Sequence, residues 1–218
     1  NSKTTIPLSA SRGCPYSCFH YCTYPLQQGR KVRYRSVDNI IKEIKYWIKK
    51  LKTNKFIFRD PVFSINRKYT VSLCEQIIRE NLKIEFQIET HLKNLDDELI
   101  VLLKHAGLKM IYIGIESSSP NVLKGINRFT VDNDQQYQII KKLKKNGIIV
   151  KSMFMLANPD DNEETIKKFI ISIEENSDPR KDIFKKAVQE NWTLLTMSKT
   201  SPKLEDVFKF LTIGEEEK

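Results

Sequence analysis

The sequence of 218 residues lacks any apolar run close to the roughly 20 residues that a helix needs to cross a membrane. Its start, NSKTTIPLSAS, has neither the basic nor the apolar segment of a secretory signal peptide. It also lacks an initiating Met, so we expect a fragment of a longer protein, with partners on segments outside it. With 40% hydrophobic and 29% charged residues, the composition predicts a soluble, globular protein with no membrane contact. Four cysteines without an export signal predict a reducing compartment, the cytoplasm.

Cysteine is scarce, and three of the four cysteines lie together in SRGCPYSCFHYC, at positions 14, 18 and 22. In a reducing compartment, clustered thiols bind metals or do redox chemistry more often than they form structural disulfides. Cys74 lies apart from them, in VSLCEQII, where the helical spacing of the apolar residues places it in the core.

The formal charge is +10, and basic surfaces attract nucleic-acid phosphates. Much of this charge alternates with apolar residues on predicted helices, as in IIKEIKYWIKKLK at 40–52. We therefore favour solvated helix faces. Nucleic acid remains an open alternative.

Short apolar strands alternate with amphipathic helices along most of the chain, which predicts a parallel sheet with right-handed crossovers. The expected strands are 4–11, 55–60, 84–90, 109–117 and 148–156. The first expected helix starts at Val37, after the cap Ser36. The other expected helices are 70–81, 95–107, 135–147 and 162–175. A weaker sixth unit follows, with a strand at 191–198 and a helix at 201–211. We predict an α/β fold, a partial (β/α)6 TIM-like barrel whose last unit is degraded or truncated. Its core domain spans 1–176, and 177–218 form a C-terminal continuation with an acidic tail.

The cysteine loop directly follows the first strand, so it lies at the carboxyl ends of the strands, where parallel sheets hold their sites. Three thiolates suit a four-iron, four-sulfur (4Fe-4S) cluster that leaves one iron open for a ligand. A Cys3His zinc site completed by His20 or His91 is the alternative.

The motif RGCPYSCFHYC, with FIFRDPVF, IETHLKNLDDELIVLLKHAGLKMIYIGIESSSPNVLKGINR and MFMLANPDDNEETI, resembles the radical S-adenosylmethionine superfamily over about residues 5 to 166. The resemblance is strongest to members that carry a cobalamin-binding domain. It implies a 4Fe-4S cluster on Cys14, Cys18 and Cys22, whose open iron binds S-adenosylmethionine. One electron then cleaves this cofactor to methionine and a 5'-deoxyadenosyl radical.

The resemblance also implies roles for other residues, while the residues that act on the substrate stay unknown. Tyr21 lies against the adenine, Asp60 near the methionyl amino group, and Glu116 on the ribose hydroxyls. Glu89 is a further acidic candidate, and Arg128 is a candidate for the methionyl carboxylate. Chemically, a zwitterionic sulfonium cofactor favours carboxylates near its positive groups, although strand-end acids also serve as helix caps or solvated charges.

The family spacing is Cys-x3-Cys-x2-Cys, whereas the second gap here contains Phe19, His20 and Tyr21. Because Tyr21 keeps the order of aromatic residue then cysteine, we place the extra residue at Phe19 or His20. An irregular loop absorbs one residue as a bulge, so we expect His20 to point outward.

These observations predict a radical S-adenosylmethionine enzyme that takes its electron from a donor such as flavodoxin or ferredoxin. The resemblance suggests cobalamin-linked methyl transfer, with the cobalamin-binding domain absent from this chain. Two alternatives remain open. One is a non-catalytic metal-binding or scaffold relic of the fold, and the other is a tRNA-modifying protein similar to methylthiotransferases.

Overall fold

The computed structural model describes residues 4–18, 21–155, 158–161, 184–185 and 188–189. The chain divides into two compact units, Asn1–Phe169 and Ile170–Lys218. In the second unit, the four described residues are helical. No described helix is long and apolar enough to cross a membrane. The predicted helices at 162–175 and 201–211, the strand at 191–198 and the domain boundary at 176 lie outside the described residues.

The first unit alternates strands and helices as the sequence predicts. In chain order, its elements are β1 (Thr5–Leu8), β2 (Ser11–Arg12), α1 (Tyr24–Gln28), β3 (Arg33–Tyr34), α2 (Val37–Leu51), β4 (Lys55–Phe58), α3 (Arg67–Arg79), β5 (Glu85–Thr90), a 3-10 turn (Leu92–Asn94), α4 (Asp97–Ala106), β6 (Leu108–Glu116), α5 (Pro120–Gly125), α6 (Asn133–Lys145) and β7 (Ile149–Phe154).

The main sheet has five parallel strands in the order β1-β4-β5-β6-β7, which is also their order along the chain. Its helices pack side by side in chain order, α2 on α3, α3 on α4 and α4 on α6. A sheet and a helical layer that both advance in one direction form an open β/α barrel segment. The predicted α/β class and partial barrel are confirmed, and the described strands do not close into a ring.

Helix ends follow their caps. Ser36 caps α2 by accepting a hydrogen bond from the backbone N–H of Asn39 at 3.3 Å, and Gly107 ends α4 with a φ of 110°. Asp96 is the cap of α4, where it accepts from the Leu99 N–H at 2.8 Å. α3 begins at Arg67, three residues before the predicted start, because the Asn66 side chain accepts from the Tyr69 N–H.

The core lies between the sheet and the helical layer. β4 and β5 bury Phe56, Phe58 and Phe86 completely or nearly so, and α2 buries Ile40 and Ile44 against them. Cys74 is fully buried among these apolar side chains, as the helical spacing predicts. Because this core fixes the carboxyl ends of the strands, the loops that follow them have a rigid base.

The predicted first strand at 4–11 is too long. β1 ends at Leu8, and Ser11–Arg12 instead form an antiparallel pair with Arg33–Tyr34. Between the two pairings, the backbone N–H groups of Ala10 and Ser11 donate hydrogen bonds to the Asp60 carboxylate and not to a neighbouring strand of the main sheet. The chain therefore turns away from the sheet immediately before the cysteine loop.

Candidate functional site

Two hydrogen bonds to residues 28 and 29 hold the start of the cysteine loop. The N–H of Cys14 donates to the Gly29 carbonyl at 3.0 Å, and the N–H of Gly13 donates to Gln28 Oε1 at 3.1 Å. Gly13 has a φ of +104°, and a methyl group at its Cα would overlap the Lys31 carbonyl. Only glycine fits this position without strain, since it alone combines that φ with so close an approach of backbone.

Asp60 lies beneath the same loop and is 1% exposed. Besides the two N–H groups, it accepts the Ser11 hydroxyl at 2.6 Å. Burial raises the pKa of this carboxyl, and the three donors act in the opposite direction. Both oxygens are thus engaged in fixing residues 10 and 11, and the predicted contact with the methionyl amino group stays a prediction.

The three thiols of the loop lie close enough to influence one another. Cys14 is buried, while Cys18 and Cys22 are half-buried, and all three are free. Burial raises the pKa of Cys14, and the charges of Cys22 and Cys18 raise it further. Burial and the Cys18 charge likewise raise the pKa of Cys22. Such crowding of anionic sulfur is unfavourable in the free protein and favourable around a cation or an iron–sulfur cluster.

Among the described residues, no three His, Cys, Asp or Glu side chains are arranged to hold a single metal ion. An iron–sulfur cube differs in that each of three irons takes one thiolate, so its ligands surround a larger centre. His20 lies outside the described residues. His91, the other histidine considered for zinc, accepts the Lys93 N–H through Nδ1 at 3.3 Å, and burial lowers its pKa to about 3.

The strand β6 ends in an irregular backbone that presents Glu116. The pairing with β7 shifts register between Gly114 and Glu116, and Glu116 has a φ of +65°. This left-handed conformation is uncommon for a residue other than glycine and is found most often at sites where neighbours hold it in place. Glu116 is 8% exposed, and burial raises the pKa of its carboxyl.

Arg128 joins Glu116 to the cysteine loop. Its Nη2 donates to the Gly114 carbonyl at 2.7 Å and lies 3.6 Å from Glu116 Oε1, while its Nη1 lies 3.8 Å from Cys18 Sγ. A methyl group at Gly114 would overlap the Glu116 carboxylate and press on Arg128. The guanidinium therefore stands between a carboxylate and a thiol, where it offsets negative charge on both.

Two buried polar atoms beside this group have no nitrogen or oxygen partner in the described part of the chain. They are the Tyr21 hydroxyl and Arg128 Nε. Burial raises the pKa of Tyr21, with Glu116 contributing in the same direction, so its hydroxyl stays protonated. Buried donors without partners are uncommon in folded proteins, and they suit a site that binds a polar ligand.

Glu89, the last predicted carboxylate, lies one residue before the end of β5, at the same end of the sheet. The Tyr24 hydroxyl donates to its Oε2 at 3.5 Å, and burial raises its pKa, with Arg59 acting in the opposite direction. Its charge influences that of Glu116 through space. The structure therefore brings the predicted Tyr21, Glu89, Glu116 and Arg128 together with the thiols, whereas Asp60 lies under the loop.

Asn127 is a site residue that sequence reasoning missed. Its Nδ2 donates to the carbonyl of Ser17 at 2.7 Å, directly before Cys18, and its φ is +53°. Asparagine is one of the few residues that adopt this conformation readily. The neighbouring pair Asn127 and Arg128 thus holds the backbone and the thiol around Cys18. Sequence reasoning missed Asn127 because the short helix α5 has too few residues for a clear helical periodicity, and because the two hydrogen-bond partners are 110 positions apart.

Tyr16 fixes the middle of the loop. Its ring centre lies 5.4 Å from that of His91, Lys93 Nζ lies 4.2 Å from it, and Asn94 donates to its hydroxyl at 3.4 Å. The turn after β5 therefore supports the loop between Cys14 and Cys18.

Comparison with known proteins identifies similar chains. The chain is 29% identical over 73% of its length to an uncharacterized methyltransferase of Pyrococcus horikoshii, covering 34% of that protein. It is 27% identical over 74% of its length to the bacteriochlorophyllide d C-12(1)-methyltransferase of Chlorobaculum tepidum, covering 36% of it. Methylthiotransferases also match. The chain spans about a third of the length of the first curated relatives that it matches.

A similar fold occurs in the radical S-adenosylmethionine methyltransferase TsrM of Kitasatospora setae, solved with cobalamin and a 4Fe-4S cluster. The TM-score is 0.69 at 18% identity, over 74% of this chain and 32% of that one. The sequence model of the Radical SAM superfamily matches residues 8–173, which include the last residue of β1, the cysteine loop and the other four strands of the main sheet. The chain belongs to the radical S-adenosylmethionine superfamily.

Proposed function

We propose that this chain is the core of a radical S-adenosylmethionine enzyme in which Cys14, Cys18 and Cys22 hold a 4Fe-4S cluster. The observation that carries the proposal is the meeting of three free thiols with Arg128, Glu116 and Tyr21 at the carboxyl ends of the strands. Soft thiolates are the ligands that iron–sulfur clusters take, and the adjacent guanidinium offsets their negative charge.

A 4Fe-4S cluster held by these thiolates, with S-adenosylmethionine bound, would supply one-electron cleavage of a carbon–sulfur bond. In this proposal Glu116 accepts hydrogen bonds from the ribose hydroxyls, and Tyr21 lies against the adenine. Arg128, whose Nε has no nitrogen or oxygen partner among the described residues, binds the methionyl carboxylate. Glu89 is the carboxylate left to face the cationic amino group, because the oxygens of Asp60 already accept three hydrogen bonds.

The proposal extends to cobalamin-linked methyl transfer, with cobalamin bound by a segment outside this chain. Two methyltransferases among the relatives and the TsrM structure with its bound cobalamin support this extension. Methyl transfer converts S-adenosylmethionine to S-adenosylhomocysteine, whereas radical generation releases 5'-deoxyadenosine. The two products therefore separate the two reactions in one assay.

The test is anaerobic reconstitution followed by analysis of iron, sulfide, zinc and products. We expect near four irons and four sulfides per chain, with 5'-deoxyadenosine and methionine released after reduction by dithionite. Zinc in place of iron, in a protein that loses it with His20→Ala, would overturn the cluster. A loaded cluster without any cleavage of S-adenosylmethionine would support the alternative of a non-catalytic, metal-binding scaffold protein. S-adenosylhomocysteine that forms only when cobalamin is added would support methyl transfer.

A further inference from the structure

A strongly basic surface lies against the cysteine loop. It consists of the strands β2 and β3 and the residues that directly flank β3, here named the basic ribbon. Five exposed cations belong to it: Arg12, Arg30, Lys31, Arg33 and Arg35. The sequence contains no Asp or Glu before Asp38, so the ribbon carries no acidic residue of its own.

Most of this charge is not neutralised by neighbours. Among the described residues, Arg35 is the one ribbon cation that forms an ion pair, with Glu43 at 2.6 Å. Arg33 donates to the backbone carbonyls of Lys31 and Gln28, and Arg30 to the Ser17 hydroxyl. These partners are neutral, so the positive charge faces solvent.

Basic residues elsewhere lie mainly on helices, and some of them pair with acids. On α6, Lys142 pairs with Asp97 at 2.7 Å, and on α2, Lys45 pairs with Glu80 at 2.7 Å. The helix faces thus mix both signs, as the sequence suggested for solvated surfaces. The end of α6 also groups four exposed lysines with a single ion pair, so what distinguishes the ribbon is its position beside the cysteine loop.

The ribbon also touches the thiol-bearing backbone. The Gly29 carbonyl just before the ribbon accepts the Cys14 N–H, and the Lys31 carbonyl lies where a side chain on Gly13 would be. A protein bound to the ribbon would therefore stand directly beside the first thiol. Electron transfer favours such proximity, and short-lived redox complexes use small interfaces.

We propose that the basic ribbon is the docking surface for a small acidic electron-carrying protein. This inference rests on the proposed function, because reductive cleavage takes up one electron for each S-adenosylmethionine. The sulfonium is reduced as its carbon–sulfur bond breaks, and the donor protein is oxidised by one electron. A patch of one sign steers an oppositely charged partner and speeds its association by about tenfold or more at low salt.

Nucleic acid fits the ribbon less well. Proteins that bind single strands place aromatic rings where bases can stack. The one aromatic residue of the ribbon strands, Tyr34, packs on Tyr69 with ring centres 4.6 Å apart. The charge is also concentrated beside the thiols, which a phosphate backbone does not require.

The experiment compares charge reversal on the ribbon with an equal reversal elsewhere. The ribbon variant is Arg12→Glu with Lys31→Glu, since neither side chain makes an ion pair in the described structure. The control is Lys141→Glu with Lys144→Glu, two exposed residues of α6 next to β7, at the other edge of the sheet from β1. Both changes shift the net charge by the same amount. The probe is reduced flavodoxin, with dithionite as a small reductant that needs no docking surface.

We expect the ribbon variant to be reduced by flavodoxin about tenfold more slowly at low salt, with a matching loss of flavodoxin affinity in calorimetry. The difference should shrink as salt rises. The control pair should behave as the parent, and dithionite should reduce all three equally. Equal flavodoxin rates and affinities in all three proteins would overturn the docking surface. So would loss of salt-dependent binding to bulk tRNA in the ribbon variant alone, with flavodoxin reduction unchanged. Failure of dithionite to drive cleavage in the parent would instead refute the proposed function, while the binding measurement still tests the ribbon.

Discussion

The loop after β1 and the turn after β6 build two halves of the site by different means. The cysteine loop is fixed through backbone groups, with Gly29, Gln28 and Asn127 each holding a main-chain N–H or carbonyl. The turn after β6 presents opposite charges, and its geometry depends on the side-chain pair of Glu116 and Arg128. The first half offers soft ligands to a metal, and the second offers charged groups to a polar cofactor.

This difference predicts separate failures. A change in the cysteine loop or in the Asn127 contact that holds it should reduce iron, whereas a change of Glu116 should weaken cofactor binding and leave iron in place. Arg128 is where the two halves meet, since it contacts both Cys18 and Glu116.

Loss of a thiol should have the largest effect. We expect Cys14→Ala, Cys18→Ala and Cys22→Ala each to abolish loading of iron and sulfide, because the remaining two thiols cannot hold the cluster. Cys74→Ala is the matched control, as its thiol is fully buried in the core and burial raises its pKa to about 12. Iron analysis after anaerobic reconstitution checks this. Equal iron loss in the Cys74 variant would remove the distinction between loop and core cysteines.

Gly13→Ala tests whether backbone geometry holds the first half together. The left-handed φ alone costs a residue with a side chain about 1–2 kcal/mol, and overlap with the Lys31 carbonyl adds to it. We expect iron content to fall well below that of the parent. Gly147→Ala is the control, because Gly147 also has a positive φ, +66°, but lies before β7 and outside the cysteine loop. A methyl group there would lie 3.3 Å from Lys104 Nζ. It should melt at a lower temperature and keep its iron. Full loading of the Gly13 variant would show that the loop tolerates a shift of its backbone.

Glu116→Gln tests the second half alone. It removes the charge while keeping the shape, so hydrogen bonds to a charged acceptor, each worth about 1.5–3 kcal/mol, are lost. We expect a roughly tenfold to hundredfold weaker affinity for S-adenosylmethionine by calorimetry, with iron unchanged. Glu98→Gln, on an 88% exposed side chain of α4, is the control. Unchanged affinity in the Glu116 variant would retire this residue from the cofactor site.

Asn127→Asp should give the smallest effect. The carboxylate fits the same backbone conformation but cannot donate to the Ser17 carbonyl, so one hydrogen bond of about 1 kcal/mol is lost. We expect iron to leave a few times faster when a chelator is added. Asn146→Asp is the control, because Asn146 also donates to a backbone carbonyl, that of Lys142 at 2.9 Å. If both variants lose iron at the parent rate, the hydrogen bond from Asn127 to the Ser17 carbonyl is not needed to retain iron.

Sequence periodicity predicted the repeating strands and helices because a buried face dictates their residues. β5 alternates half-buried and buried positions along its whole length, and α2 buries Ile40, Ile41 and Ile44 on one face. Such signals extend over six to fifteen residues, and caps such as Ser36 mark their ends. Resemblance to the superfamily added the grouping of Tyr21, Glu89, Glu116 and Arg128, which the structure brings together.

The contacts that hold the loop were not predictable in this way. The ribbon strands contain two residues each, too few for a periodic pattern. The resemblance and a strand-end position pointed to Asp60 as a contact for the cofactor, which stays a prediction, and nothing in the sequence indicated that Ala10 and Ser11 would donate to it. The position of the extra residue in the second cysteine gap stays a prediction, since Phe19 and His20 lie outside the described residues.

The hydrogen bond from Asn127 to Ser17 also bears on how the protein is made. A ribosome adds about 5–20 residues per second, so the 110 residues between these partners take roughly 5 to 20 s to synthesise. During that time the thiols have emerged without Asn127, Arg128 or Glu116 beside them. We expect the nascent chain to hold its cysteines exposed and vulnerable to oxidation until β6 and α5 have joined the sheet. We therefore expect the cluster to assemble best when iron and sulfide arrive after β6 and α5 have joined the sheet. Slower translation beyond residue 128 would give the loop more time to form its contacts first.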